Sequence, residues 1–396
     1  MKRKIFYITG TRADYGLMRS TLRRIHQHPK LSLDIAVTGM HLMHEFGNSI
    51  NEIREDKFKY HTIDVRYESD AKESMAIFIG RFLQELVPLI QRIKPDIILV
   101  LGDRGEMLAG AIAGVYLGIP VAHIHGGEVT STVDDYARHA ITKLAQIHLP
   151  ATVQSGKQIS NLGESQNRIF VVGAPGLDQV LHEPLLPSQE LAKKYNIDFT
   201  TPVILVIQHP VSLEVDDAPR QIRETLDAVA KTGYQSIIIY PNADAGGRGM
   251  IDVINEYTQV SSFRIFPNIP HKDYLSLLRN VSVLVGNSSS AIIEAPSFCL
   301  PAVNIGTRQN GRERGENIID APYNKEIIAQ CIDRALYDTL LLEKIKKGSN
   351  PYGDGNTSER IVEILSTIDL SKDIFIKNAA NTNSSFSPVK IKYRHR

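Results

Sequence analysis

Short runs of consecutive apolar residues alternate along this chain with stretches in which apolar residues return every three or four positions. The runs Ile5–Thr9, Leu33–Thr38, Ile97–Leu101 and Val121–Ile124 are rich in Val, Ile and Leu and stop at a glycine or a polar residue. Strands covered on both faces read this way. Met18, Leu22 and Ile25 recur at i, i+4 and i+7, which predicts a helix after Asp14 that lays one face on the sheet. A polar, proline-containing stretch from Gly173 to Pro202 interrupts the pattern, and a second series follows: Val203–Ile207, Ser236–Tyr240, Phe263–Ile265, Val281–Val285 and Ala302–Ile305. Ile222, Leu226 and Val229 mark the helix after its first strand. The alternation predicts an α/β protein of two Rossmann-like doubly wound domains, 1–175 and 176–365, facing each other across a cleft. Ligands of such sheets sit beyond the carboxyl ends of the strands, so the loops from strand to helix are where chemistry is expected.

With 396 residues, the chain exceeds what one core usually organises, in keeping with two domains. An apolar share of 42% with Gly 27 and Pro 19 excludes fibrous and disordered classes. Lys+Arg 45 against Asp+Glu 44 leaves a net charge of +1, too balanced for nucleic-acid binding. Residues 379–396 are polar and end on Lys390, Lys392, Arg394 and Arg396; they read as a disordered tail with no partner. Cys299 and Cys331 form no CxxC pair and suit buried, reduced thiols in a cytoplasmic protein. The apolar run after Met-Lys-Arg-Lys is too short for a signal peptide. The uncharged stretch from Met107 to Gly127 is broken by Gly110, Gly114, Gly118, Pro120, His123 and His125, so it is expected to be a helix, a turn and a buried strand rather than a membrane span.

The unusual residues gather in loops after expected strands: Gly10-Thr-Arg-Ala-Asp-Tyr-Gly16, Gly102-Asp-Arg104, His123-Ile-His-Gly-Gly-Glu128, Gln208-His-Pro210, Pro241-Asn242-Ala-Asp244 and Gly286-Asn-Ser-Ser-Ser290. Neither GxxxxGK[ST] nor GxGxxG occurs, which argues against ATP and NAD. Ser288 and Ser289 stand where a strand enters a helix, either as an anion site or as a plain N-cap. Arg12, Arg308 and Arg312 supply cations for a diphosphate, and Glu294 can accept from ribose hydroxyls or simply be a solvated helix residue. Acid–base candidates are Asp103, His125, Glu128, Asp134, Asp135, His139 and His209, with helix capping as the alternative for the aspartates. His209, held before Pro210, can donate to a phosphate or shuttle a proton. His123 and His125 lie two apart, on one face of the expected strand; a metal site with Glu128 is disfavoured because the Gly126-Gly127 turn should aim Glu128 elsewhere.

Taken in order, these loops, together with Asp134-Asp-Tyr-Ala-Arg-His-Ala-Ile-Thr-Lys143 and Gly306-Thr-Arg-Gln-Asn-Gly-Arg312, resemble the hydrolysing UDP-N-acetylglucosamine 2-epimerases of sialic and legionaminic acid synthesis. The resemblance covers residues 3 to 365. It implies a glycosyltransferase-B-type fold with an interdomain active site, a C-terminal segment 366–378 that returns to the first domain, and a homodimer. The implied reaction takes UDP-N-acetylglucosamine and water to UDP and N-acetylmannosamine through a 2-acetamidoglucal, with no metal or redox cofactor. It places Asp103 and Asp134 among the active-site carboxylates, His209 near the diphosphate, and Arg12, Ser288, Ser289, Glu294 and Arg308 around the nucleotide. Arg104, Asn242, Asp244 and Arg312 lie in the same matching loops and join the expected substrate-binding set. Many family members have Glu where this chain has His125, so the acid–base role falls to His125 or to Glu128. Sequences resembling the UDP-N,N'-diacetylbacillosamine 2-epimerases share that His and the Gly173-Ala-Pro-Gly-Leu-Asp178 run, which makes the diacetamido sugar the alternative substrate. Rival readings are a non-hydrolysing epimerase, a glycosyltransferase on the same fold and a nucleotide-sugar-binding regulator.

Overall fold

Tyr7 and Ile5 pack into one apolar cluster while Phe6 and Ile8 pack into another, because alternate residues of a strand leave on opposite faces. Ile204 and Val206 are divided from Leu205 and Ile207 in the same way. Each of these strands is therefore covered on both sides by helices. The computed structural model describes residues 2–377 apart from 45–48, 70–71, 130–133, 183, 212 and 243, and the side chains of Lys72 and Asp134 are likewise outside it.

Two six-stranded parallel sheets result. The first contains β1 (Arg3–Thr9), β2 (Leu31–Val37), β3 (Tyr60–Thr62), β4 (Ile97–Leu101), β5 (Val121–Ile124) and β6 (Ile147–Leu149), in the order β3-β2-β1-β4-β5-β6. The second contains β7 (Val203–Ile207), β8 (Gln235–Ile239), β9 (Phe263–Phe266), β10 (Val283–Gly286), β11 (Ala302–Ile305) and β12 (Ile318–Ala321), in the order β12-β11-β10-β7-β8-β9. Both are doubly wound Rossmann-like sheets, and their direction of winding reverses between β1 and β4 and between β7 and β10. The helix expected after Asp14 starts earlier, at Arg12–Gln27, because Thr11 caps it and Asp14 closes the capping box. Met18, Leu22 and Ile25 are all fully buried on it. Met107 to Gly127 is indeed helix, turn and strand: Gly105–Leu117 ends on Gly118 in the left-handed region, and β5 follows.

The stretch from Gly173 to Pro202 is not an open linker but carries two helices, Gly176–His182 and Ser188–Tyr195. The chain comes back over the same point. Ala174 N–H donates to the Tyr352 carbonyl at 2.8 Å, and Asp178 receives the backbone N–H groups of Thr357 and Ser358 at 2.9 and 2.6 Å, capping helix Thr357–Thr367. Ile361, Ile364 and Leu365 of that helix, with Ile374 beyond it, lie in the core of the first domain, so residues ahead of 366 already belong there. Contrary to expectation, neither thiol is fully buried. Cys299 is exposed, since it ends a 3-10 turn in the left-handed conformation (φ 52°), and Cys331 is half-buried. No helix among the described residues is long and apolar enough to cross a membrane. Residues 379–396 lie outside the described residues.

Candidate active site

The loops at the carboxyl ends of both sheets face each other over a cavity of about 310 Å³. Asp103, His125, Glu128 and His209 line it, together with Arg12, Arg104, Asn242, Asp244, Ser288, Ser289, Glu294, Arg308 and Arg312. Asp134 opens helix Asp134–Leu144, but its side chain is outside the described residues. Asp135 and His139 are not among the described residues at the cavity wall.

On the first domain, the carboxylates are held by one arginine that the sequence did not single out. Arg138, almost fully buried, donates to Asp103 from Nη2 and lies 3.4 Å from Glu128 through Nη1. The His-Ile-His run splits at the end of β5. His123 stays on the strand, where its Nε2 meets the Gly102 carbonyl at 2.7 Å and its Nδ1 meets Thr142 at 3.2 Å. His125 leaves in the left-handed region (φ 60°), so the two rings do not share a face. The glycine turn then brings Glu128 back onto His125 Nδ1 instead of aiming it away. Gly127 is required there: it sits at φ 77°, and a Cβ would lie 2.2 Å from the Ser155 carbonyl. Burial pushes the Glu128 carboxyl up, but Arg312 and His125 outweigh it and leave Glu128 below the usual carboxylate range.

Behind this wall lies a second buried group. Glu106 accepts from Tyr67 at 3.0 Å and sits 3.4 Å from Arg104. A Cβ on Gly10 would come within 2.2 Å of Glu106, so glycine at the first turn leaves room for that carboxylate. Asp14 also reaches the cavity; burial raises it to about 6 against the hydrogen bonds from Thr9 and Gly10. Thr11-x-x-Asp14 signals a cap and nothing more, so sequence alone gave no cue to its buried site.

On the second domain, His209 is built into the switch point. Its N–H donates to Asn287 Oδ1 at 2.7 Å, and Asn287 Nδ2 returns to its carbonyl at 2.9 Å, tying the loop after β7 to the loop after β10. Asn242 N–H donates to His209 Nδ1 at 3.1 Å, so the ring proton is on Nε2. Burial, reinforced by Arg308 and Arg104 against Asp244, lowers its pKa to about 3. His209 is thus a neutral donor near pH 7, which favours contact with an anion over shuttling of protons. Gly286 (φ 131°) lets β10 approach β7, since a Cβ would fall 2.0 Å from the Ile207 carbonyl. Ser289 precedes a helix of just four residues, Ser290–Ile293, without capping it. Glu294 is buried rather than solvated, burial raises its pKa, and its Oε2 has no hydrogen-bond partner. Arg12 Nη1 is buried in the same condition. His271 and Tyr274 complete this end of the cavity and carried no sequence signal.

Among the described residues two ion pairs bridge the domains: Arg104 Nη1 to Asp244 Oδ1 at 3.3 Å and Arg312 Nη2 to Glu128 Oε2 at 3.1 Å. Both join an expected site residue of one domain to one of the other. The described residues contain no group of His, Cys, Asp and Glu arranged to hold a metal ion.

A family model described as UDP-N-acetylglucosamine 2-epimerase matches residues 23–366. A UDP-N,N'-diacetylbacillosamine 2-epimerase (hydrolyzing) from Legionella pneumophila is 44% identical over 95% of this chain and 99% of its own length. A UDP-N-acetylglucosamine 2-epimerase from Neisseria meningitidis is 35% identical over 92% of this chain and 95% of its own. Among solved structures, the UDP-GlcNAc 2-epimerase from Neisseria meningitidis bound to UDP-GlcNAc superposes with a TM-score of 0.77 at 18% identity, covering 91% of this chain and 99% of that one, which shows a shared fold.

Proposed function

Because this chain belongs to the UDP-N-acetylglucosamine 2-epimerase family, as its match over 23–366 and its 44% identity to a relative show, we propose that it is a hydrolysing 2-epimerase of a UDP-linked 2-acetamido sugar. The observation that carries the reading is the meeting of two unlike sets of groups in one cavity. Asp103 and the His125–Glu128 pair come from the first domain, while His209, Ser288, Ser289 and Arg308 come from the second. The second set suits a nucleoside diphosphate. Arg308 supplies charge, His209 Nε2 offers a neutral donor, and the buried Glu294 can accept from ribose.

The first set suits the ring. A proton on carbon 2 of a sugar is weakly acidic, so its removal must be coupled to loss of UDP and to positive charge at the anomeric carbon. In the first half-reaction the bond from carbon 1 to the diphosphate oxygen breaks, its electron pair leaves with UDP, and a base takes the carbon 2 proton to give the 2-acetamidoglucal. In the second, hydroxide derived from water bonds to carbon 1 and an acid returns a proton to the opposite face of carbon 2. The sum is redox-neutral, and water is the sole co-substrate. Asp103 and His125 are the proposed acid–base groups, with Asp134 as a further candidate from the resemblance of its loop.

The diacetamido sugar is the favoured substrate, on the strength of 44% identity to the relative named for it against 35% to the one named for UDP-N-acetylglucosamine. A cytoplasmic homodimer belongs to the same reading. Incubation of the protein in D₂O with each UDP-sugar, followed by NMR, tests the reaction. Free UDP and a manno-configured sugar with deuterium at carbon 2 are expected, faster from the diacetamido substrate. A UDP-linked epimer without free UDP would instead identify the non-hydrolysing reaction, and turnover only with an added acceptor would identify a glycosyltransferase.

A further inference from the structure

We infer that Glu128 of the first domain and Arg312 of the second act together as positioning residues for the His125 imidazole, so that closing the cleft completes the acid–base unit. The inference rests on the reading that the cleft binds a UDP-sugar and eliminates UDP. His125 adopts a left-handed backbone that residues with side chains rarely take, and the Gly126-Gly127 turn folds Glu128 back beneath it. Glu128 Oε1 engages Nδ1 of the ring. With that nitrogen occupied, Nε2 is left for the cavity that His125 lines.

The other carboxylate oxygen, Oε2, is where the domains meet. Arg138 approaches it at 3.4 Å from the same domain, and that guanidinium also holds Asp103. Arg312 approaches at 3.1 Å from the loop after β11, on the far side of the cleft. Arg138 shares a domain with Glu128, so its approach does not depend on how the domains meet, whereas that of Arg312 does. Nε and Nη1 of Arg312 are buried without partners, so it can meet an anionic leaving group without releasing Glu128.

Among the described residues, the charged and titratable groups around His125 are Glu128, Arg138 and Arg312, with His123 and Glu294 acting at longer range. Arg312 offsets part of the Glu128 charge. Without it, Glu128 Oε2 is left to Arg138 alone and the carboxylate is less firmly held against the ring. Without the Glu128 carboxylate, the tautomer of the imidazole is no longer fixed.

A double-mutant cycle with Arg312→Gln and Glu128→Gln tests this through kcat, KM and UDP affinity. Arg312→Gln is expected to lower kcat by roughly 10²-fold, as for misplacement of a reacting group. In the Glu128→Gln background, Arg312→Gln should add less than about threefold to the loss in kcat, since the arginine acts through the missing carboxylate. Arg312→Lys, which keeps the charge, should recover part of kcat. Effects that multiply in the double variant, or a loss confined to UDP affinity, would overturn the inference. Imidazole ¹⁵N shifts of His125 in the UDP-bound protein give a readout that needs no turnover: proton on Nδ1 in the wild type, mixed tautomers in Glu128→Gln. A wild type with its proton on Nε2 overturns the inference even if the enzyme is active. Absence of turnover on either sugar together with the expected shifts sinks the functional reading instead.

Discussion

Arg138 donates to Asp103 and lies within ion-pair distance of Glu128, so one buried cation fixes the spacing of two carboxylates that come from different loops. Removing the charge of Asp103 while keeping its shape should therefore affect chemistry more than binding. Asp103→Asn is expected to lower kcat by roughly 10²–10⁴-fold, the range for loss of one acid–base group, with UDP affinity by calorimetry within about threefold of wild type. Equal turnover in the variant would remove Asp103 from the mechanism. The sequence shows an Asp emerging after a buried strand, and that pointed to Asp103. It contains nothing comparable for Arg138, which reads as one polar residue of an amphipathic helix, because its two partners lie 10 and 35 positions away.

Ile97–Leu101, Val121–Ile124, Val203–Ile207 and Ala302–Ile305 are strands with the limits that their apolar runs predict. The strands that went unread are Tyr60–Thr62, Ile147–Leu149 and Ile318–Ala321, and each is the edge of its sheet. Tyr60–Thr62 and Ile318–Ala321 pair with a strand on one side only and need less apolar cover, so Thr62 and Asp320 stand at exposed positions, whereas β6 is buried and takes a bridge from Ile169 on its outer side. His148 interrupts β6 because Glu164 is there to meet it at 3.2 Å. The two passages of the chain between domains depend on a comparable local device: Asp178 caps the helix that returns. Asp178→Ala should cost about 0.5–2 kcal/mol of stability, as for loss of an N-cap, measured as a lower urea midpoint. An unchanged midpoint would show that the returning helix is anchored by its apolar face alone.

Four buried histidines, His41, His123, His209 and His271, each have their pKa lowered to about 3, by burial first of all. In the unfolded chain a histidine titrates near 6.5, so between that pH and about 3 the unfolded state binds the extra protons. Stability from these groups is complete above pH 6.5 and is lost as the pH falls, by up to about 1.4 kcal/mol per pH unit for each. Asp14, raised to about 6, works in the opposite sense: its contribution is present below its unfolded value and lost as pH rises through 6. His148, also lowered by burial, adds to the four, while the raised carboxyls of Glu52, Asp178 and Glu294 side with Asp14. The histidines, which titrate nearest this window when unfolded, predict a urea midpoint that declines from pH 6.5 to 5, with a shallower slope in His271→Asn. A flat profile would mean that the rings are hydrated in the native state. What the sequence determined by itself was the strand-and-helix alternation, the division into two doubly wound sheets and the loops that carry polar chemistry, because each of these depends on residues close together in the chain. Only the tertiary structure decided that His125 turns away from His123 and onto Glu128, that Arg138 and Arg312 compensate that carboxylate, and that Arg104 reaches Asp244. Those relations depend on where separate strand ends meet, and the side chains involved are buried and charged for the sake of partners that local sequence does not name.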